Sequence, residues 1–572
     1  MGHYQNFKTV IYCVASGNEG ETKESLQKEI AFFQKYVGVD KVYLEAYRDQ
    51  KCSIEKLQLC KETLLEAGIE VSGGITSVVP NLSDEDQKRS RLFNTYCFSN
   101  EAMRKHWQDA VEYTASMFDE FIIDDFYFTQ CTCEDCVREK GNRSWQEFRL
   151  AKMKEVSVDL TYTPAKRVNP NVKVIIKFPN WMESYQETGY DPESSRELFD
   201  MIYTGTETRH PAHTDQHLPR YLSYSLMRYM EHCAPDRNGG GWFDPFECYP
   251  IDCYLEQAYL TAFSKPKELM LFCWGALYQN KVVTPLGFQL EKIDRILSDL
   301  GTPTGLPVYL PFHAQGEDHL EDYLGMLGIS FDPTPDFPES GYVFLTLSAL
   351  ADPKIIDKLK NFLSAGNHAI VTDGFVREAL RRNLPITDLT SIRDAHRRMS
   401  AQEYHVSGRY HGSEHIRGER LDFPIVEHRN NASWSLINAG DGAQHASLLL
   451  RDPYEKGELL TLVLPDLCSD IAKLPRPVLN RIRREMKGAG RLWIDAPPQI
   501  SLFTYDNDTF GIYSYAGDGA APATIELHIT GNAASITEID GRQVLSPLYQ
   551  LDSETVFRMH TQPGEFKFYK IG

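Results

Sequence analysis

Phe121-Ile-Ile-Asp124-Asp125-Phe-Tyr-Phe-Thr129 is a short apolar run that turns acidic and aromatic where it ends. Such a run reads as a strand buried on both faces, the mark of a parallel sheet. A carboxylate pair directly after it falls where a (β/α)8 barrel keeps its chemistry, at the C-terminal end of a strand. Stretches of the same kind lie on either side. Thr9–Gly17, Lys41–Tyr47 and Ile69–Ser77 precede it, and Val172–Trp181, Phe199–Arg209, Asn238–Glu247 and Glu268–Tyr278 follow. Between them, segments such as Lys23–Val37 and Ser53–Ala67 repeat apolar residues at helical spacing. Eight strand-helix units end at about Gln279, which matches the roughly 250 residues of one TIM barrel. A doubly wound open sheet is the alternative fold, but the first strand-helix turn lacks the G-x-G-x-x-G cradle.

A chain of 572 residues exceeds one barrel. Beyond it, Val308–Leu310, Tyr342–Leu347, Ala369–Asp373 and Gly457–Pro465 read as strands alternating with helices, and Val478–Met486 as part of the same α/β domain. Ala401–Leu450 reads as a polar, strand-like insertion. From about Arg491 the pattern is alternating strands, among them Thr524–Thr530 and Thr555–His560, as in a small antiparallel β-sandwich. The expected division is 1–284, 285–490 and 491–572.

Composition sets limits on partners. A formal charge of −20 argues against nucleic acid, whose phosphates need Lys and Arg, and reads as a solubilising surface. No run of eighteen apolar residues suggests a membrane span. The N-terminus, MGHYQNFKTVIY, enters the first strand without a charged and then apolar leader, so no signal peptide is expected, leaving a cytoplasmic or periplasmic location open.

Cys131-Thr-Cys133-Glu-Asp-Cys136 follows the fourth strand, and Cys97 lies between the third and fourth, so a barrel brings these thiols together on one face. Four thiolates suit a closed, structural zinc site. The alternative is a set of reduced, partly buried cysteines; disulfides are less in keeping with large cores.

Tyr96-Cys97-Phe-Ser-Asn100 together with Cys131-x-Cys133-x-x-Cys136 resembles the zinc-binding cysteine cluster of glycoside hydrolase family 42 β-galactosidases. Tyr342–Leu350 and Ile355–Gly374 resemble that family's flavodoxin-like trimerisation domain. The resemblance implies a three-domain glycosidase, a carbohydrate substrate and a homo-oligomer, a trimer. The catalytic positions depart from it. Clan A enzymes carry an Asn-Glu pair after the fourth strand and a nucleophilic Glu after the seventh, whereas this chain reads Ile123-Asp124-Asp125-Phe126 and Trp242-Phe-Asp244-Pro-Phe-Glu247. An aspartate on strand four with an acid on strand six, in Tyr203-Thr-Gly-Thr-Glu207-Thr-Arg209, resembles clan D α-galactosidases. A distant or unassigned glycosidase family is implied.

Glycoside hydrolysis needs one carboxylic acid to protonate the leaving oxygen and one carboxylate to attack or to activate water. Asp125 is the expected nucleophile, with Asp124 its alternate, because regular pleating cannot point both into the mouth. Glu207 is the expected acid/base, tuned by Arg209, and Asp244 is its rival, unless it merely forms a turn before Pro245. Glu45, Tyr47, Asn180, Trp181, Arg209, Trp242 and Trp274, all near strand ends, supply the mixture of indole faces and polar groups that suits a sugar pocket. The expected activity is exo-acting, retaining glycoside hydrolysis. The alternatives are a β-galactosidase-like enzyme using strands four and seven, and a carbohydrate-binding protein without catalysis.

Overall fold

The computed structural model describes residues 3–79, 94–317, 319–407, 413–428, 432–442, 444–517, 519–551 and 553–572. The chain forms two compact units, Met1–Leu218 with Leu222–Ser298, and Pro219–Tyr221 with Asp299–Gly572.

The first unit is a closed barrel of eight parallel strands. They are β1 (Lys8–Cys13), β2 (Lys41–Tyr47), β3 (Glu70–Ile75), β4 (Glu120–Ile123), β5 (Lys173–Phe178), β6 (Met201–Gly205), β7 (Asn238–Phe243) and β8 (Glu268–Phe272). Strand β8 closes on β1 from Lys8 opposite Glu268 to Tyr12 opposite Phe272. The surrounding helices are amphipathic. Lys23–Tyr36, for example, starts at a capping box between Thr22 and Ser25 and buries Leu26, Ile30 and Phe33 on one face.

Val10, Tyr12, Tyr43, Ile122, Ile175, Tyr203, Trp242 and Met270 fill the barrel interior, each large apolar side chain stabilising by about 1.5–3 kcal/mol. Its floor is charged. Lys41 Nζ lies 2.6 Å from Glu120 and 3.4 Å from Glu268, residues that open β2, β4 and β8. Strand β7 is glycine-rich because its neighbours come close. A Cβ on Gly240 would stand 2.1 Å from the Glu268 carbonyl, and one on Gly241 2.2 Å from Thr261 in the helix Asp252–Phe263.

The expected strand stretches run past their strands into the loops above them. The eighth does so most visibly, since Trp274 opens a helix, Trp274–Asn280, instead of ending a strand. The helix Val283–Leu297 buries Leu286, Leu290, Ile293 and Leu297 in this unit, and Asn6 bonds Asp294. The unit therefore continues to Ser298, beyond the boundary expected at 284.

The second unit contains a nine-stranded sheet. Phe331–Thr334, Leu306–Tyr309, Tyr342–Leu345, His368–Thr372 and Gly457–Leu462 lie parallel in that order, the α/β part. His445–Tyr454, Trp434–Gly440, Ile392–Ser407 and Ser413–His428 extend it antiparallel. They occupy the stretch expected as an insertion, of which residues 408–412, 429–431 and 443 lie outside the described residues. Four- and six-stranded antiparallel sheets follow, sharing a core of Ile494, Leu502, Phe510, Leu527 and Phe557. Among the described residues no helix is long and apolar enough to cross a membrane.

Candidate active site

Strand β4 is only four residues long, so Asp124 and Asp125 lie in the turn after it, where Phe126 takes a φ of 71°. Pleating no longer governs their direction. The expectation that only one of them faces the mouth is corrected: both approach Lys177, the penultimate residue of β5, whose Nζ lies 2.7 Å from Asp125 Oδ1 and 3.7 Å from Asp124 Oδ1. The same nitrogen is 2.8 Å from Glu207 Oε1, beyond the end of β6. The Asp125 contact is an ion pair without hydrogen-bond alignment. Gly205 makes room for the acid, since a Cβ there would meet Glu207 Oε2 at 2.6 Å.

Lys177 is 1% exposed and stands 4.3 Å over the ring of Trp242. A buried ammonium persists only when paired. Burial works to lower its pKa, but Asp125, Glu207 and Asp124 outweigh that and hold it above the ordinary lysine range. Burial raises Asp125 to about 7, with Lys177 pulling downward and Asp124 and Glu207 pushing upward. Burial also raises Glu207, opposed by Lys177 and reinforced by Asp244.

The other carboxylates are already committed. Asp124 Oδ1 accepts the Asp125 backbone N–H at 2.7 Å, and its Oδ2 accepts from Arg48 at 2.6 Å. Glu45 accepts from the Tyr12 and Thr76 hydroxyls at 2.7 and 2.5 Å, from the Ala15 N–H at 2.8 Å and from Arg48 at 3.1 Å. Asp244 receives a two-pronged Arg209 guanidinium at 3.1 and 2.7 Å and caps the Phe246 N–H at 3.0 Å, a turn aspartate as well as an ion-pair partner. Arg209, expected to tune Glu207, bonds to Asp244 while its charge also pulls Glu207 downward. Among the described residues, Lys177 is the side chain that hydrogen-bonds or ion-pairs with the carboxylate of either Asp125 or Glu207.

The expected wall residues divide. Asn180 donates to the Glu207 carbonyl at 2.5 Å and to Gln216 at 3.1 Å, holding the end of β6. Trp181 meets Phe128 edge-on with ring centroids 6.0 Å apart. Trp242 is buried beneath Lys177, stacked on Phe272 with Tyr12 tilted against it. Tyr47 donates to the Val78 carbonyl at 2.8 Å and meets the Tyr96 hydroxyl at 2.9 Å. Trp274 is not brought to the cluster: its ring packs 4.4 Å from Phe33, and its N–H donates to Glu29. Lys177 and Arg48 were absent from the expected site, although a lysine inside Val174-Ile-Ile-Lys-Phe178 is a visible anomaly in a strand that is otherwise apolar there.

Cys97, Cys131, Cys133 and Cys136 form a second centre, their Sγ atoms all within 4.8 Å of one another. Cys97 Sγ lies 3.7 Å from Cys133 and 3.6 Å from Cys136, and Phe148, Met103 and Trp145 enclose the group. Four converging thiols with an apolar surround are a donor set that could hold a metal ion.

Residues 1–289 match a family model described as probable glycosyl hydrolase, catalytic domain, and residues 491–571 match probable glycosyl hydrolase, C-terminal domain. Residues 301–467 match the second domain of uncharacterized protein SSO3021. That protein, from Saccharolobus solfataricus, is 27% identical over 390 residues, 62% of this chain and 64% of its own length. Among solved structures, α-L-fucosidase isoenzyme 2 from Paenibacillus thiaminolyticus superposes with a TM-score of 0.67 at 12% identity, covering 99% of this chain and all of that one. Gan42B, a GH42 β-galactosidase, gives 0.63 at 10% identity, covering 99% and 98%. At these identities the likeness speaks for the fold.

Proposed function

We propose, from the premise that the chain belongs to the family of probable glycosyl hydrolases, that it removes a terminal sugar with retention of configuration, using Asp125 as nucleophile and Glu207 as acid/base. The observation that carries this is the shared ammonium. Because Lys177 Nζ is 2.7 Å from one carboxylate oxygen and 2.8 Å from the other, those oxygens are at most about 5.5 Å apart, the sum of the two contacts. Retaining glycosidases hold their carboxyl groups at about 5–5.5 Å and inverting ones at about 6.5–9.5 Å.

Asp125 attacks the anomeric carbon and forms an ester while the glycosidic bond breaks and its oxygen takes the Glu207 proton. Negative charge thereby moves from Asp125 to Glu207. Lys177 touches both, so its charge is balanced before and after the step without moving. Water, deprotonated by Glu207, then cleaves the ester and restores Asp125. Asp124 and Arg48 hold the turn that carries the nucleophile. Glu207 is 4% exposed, a depth suited to a chain end and hence to exo action. The strand-four and strand-seven alternative would use Asp244 or Glu247, both of which face Arg209, at 2.7 and 3.6 Å.

Turnover of a panel of α- and β-aryl glycosides tests this reading. Glu207→Gln is expected to lower kcat/KM by about 10²–10⁴-fold, Asp125→Asn to abolish turnover, and Asp244→Asn to weaken it less. Azide is expected to rescue each catalytic variant, with the inverted glycosyl azide from Asp125→Asn and the retained one from Glu207→Gln. Proton NMR of the first-formed sugar is the direct check: an inverted anomer from the unaltered enzyme defeats the retaining assignment, and loss confined to Asp244→Asn moves the chemistry to strand β7.

The four cysteines are assigned to structural zinc. A tetrahedron of about 2.3 Å Zn–S bonds has edges of about 3.8 Å, close to the thiol spacings of 3.6 and 3.7 Å. Its role is to clamp the loops after β3 and β4.

A further inference from the structure

A cavity of about 430 Å³ lies within the second unit, between the nine-stranded sheet and the last turns of the helix Arg476–Met486. Arg451, Arg481, Arg484 and Lys487 line it, against two carboxylates, Glu458 and Glu485. Four cations against two anions leave an excess of two positive charges, in a chain whose net charge is −20. The two acids are already shared between two guanidiniums. Arg451 lies 2.9 Å from Glu458 and 3.0 Å from Glu485, and Arg481 lies 2.9 Å from Glu485. Lys487 reaches the Gly490 carbonyl at 2.8 Å, and Arg484 has no ion-pair partner among the described residues. The Nε atoms of Arg451 and Arg481 are the ones that face Glu458 and Glu485 at 2.9 Å, so the cations left without a carboxylate are Arg484 and Lys487.

Burial pulls the pKa values of Arg481 and Lys487 downward, and neighbouring guanidiniums, Arg484 for both and Arg451 for Arg481, add to this. Crowded cations of this kind repel one another, and a bound anion relieves that repulsion while giving Arg484 a charged partner. The cavity also has an aromatic wall. Tyr342 and His368 stack on each other with ring centroids 4.7 Å apart, which covers a face of each. Trp434, the cross-strand neighbour of Arg451, is 64% exposed. An indole open to water beside a polar cavity offers a flat surface to the apolar C–H face of a pyranose.

We propose that this cavity binds an acidic saccharide, a pyranose ring carrying a phosphate, sulfate or carboxylate group, with the ring on Trp434 and the anionic group between Arg484 and Lys487. The site is built from second-unit residues alone and does not depend on the assignment of Asp125 and Glu207.

Calorimetric titration of the full-length protein with glucose 6-phosphate, glucuronate, glucose, inorganic phosphate and AMP tests it. Glucose 6-phosphate and glucuronate are expected to bind, inorganic phosphate more weakly, and glucose not in the same concentration range. Arg484→Gln is expected to weaken glucose 6-phosphate about tenfold, the loss of one charge-assisted contact. Trp434→Ala is expected to erase the advantage of the sugar phosphate over inorganic phosphate. Both side chains are exposed, so both variants keep the fold, and both keep aryl glycoside turnover. The proposal is overturned if neither acidic sugar binds, or if binding is unchanged in both variants. AMP binding tenfold tighter than glucose 6-phosphate overturns the saccharide assignment in favour of a nucleotide.

Discussion

Two carboxylates around one buried lysine make a site whose protonation is set by its surroundings. The proposed attack by Asp125 needs that residue ionised, and burial holds it at about 7. The acid limb of kcat/KM is therefore expected near pH 7, two or more units above an ordinary carboxylate. The Lys177 ammonium favours the ionised form, so Lys177→Met is expected to move that limb to higher pH as well as lower kcat. It also leaves buried carboxylates unpaired, a destabilisation of about 3–5 kcal/mol. A pH-rate profile of both proteins decides this: a limb at or below pH 5 in the unaltered enzyme sinks the assignment of Asp125 as the group that must ionise. That Asp125 and Glu207 lie beyond neighbouring strand ends was legible in the sequence, because apolar runs mark the strands and the acids follow them. Lys177 was not, because sequence periodicity records which residues face a core but not which three acids will meet there.

At the scale of elements, the barrel was readable because parallel strands buried on both faces appear as apolar runs, and each expected run holds a strand. Their ends were less readable. Leu271-Phe-Cys-Trp274-Gly-Ala-Leu277 is apolar throughout, and periodicity over so few residues cannot tell a strand from the buried helix that follows it. Trp274 reads as a mouth residue for that reason, and it packs in the helix layer instead. The cysteine loops are the element most open to test. If zinc clamps them, a strong chelator or Cys136→Ser removes free energy that belongs to folding. With about 10 kcal/mol of structural zinc binding and about 2–4 °C per kcal/mol for a domain of this size, Tm is expected to fall by roughly 20 °C or more. Stoichiometric metal by elemental analysis and the melting curve check it together; absence of metal with an unchanged Tm rejects the clamp.

Across the whole molecule, buried acids shape the dependence of stability on pH. Burial raises Asp125 to about 7 in the first unit, and burial with Asp322 raises Glu321 to about 8 in the second. Folded values above unfolded ones mean that the stability these groups contribute is fully present below about pH 4. It is lost as the pH rises through about 7 and about 8, where each must either ionise in place or unfold. Glu321→Gln is expected to shrink the difference in Tm between pH 5 and pH 9 by raising the alkaline value, and an equal pH dependence in variant and parent speaks against it.

The cysteine cluster has a further consequence for synthesis. Cys97 and Cys136 are 39 positions apart, and the ligand set is complete once residue 136 has left the ribosome. The barrel cannot close until Glu268–Phe272 has been made. A metal captured by those thiols would therefore act on a nascent half-barrel, tying the loops after β3 and β4 together while the remaining four strands are still being translated.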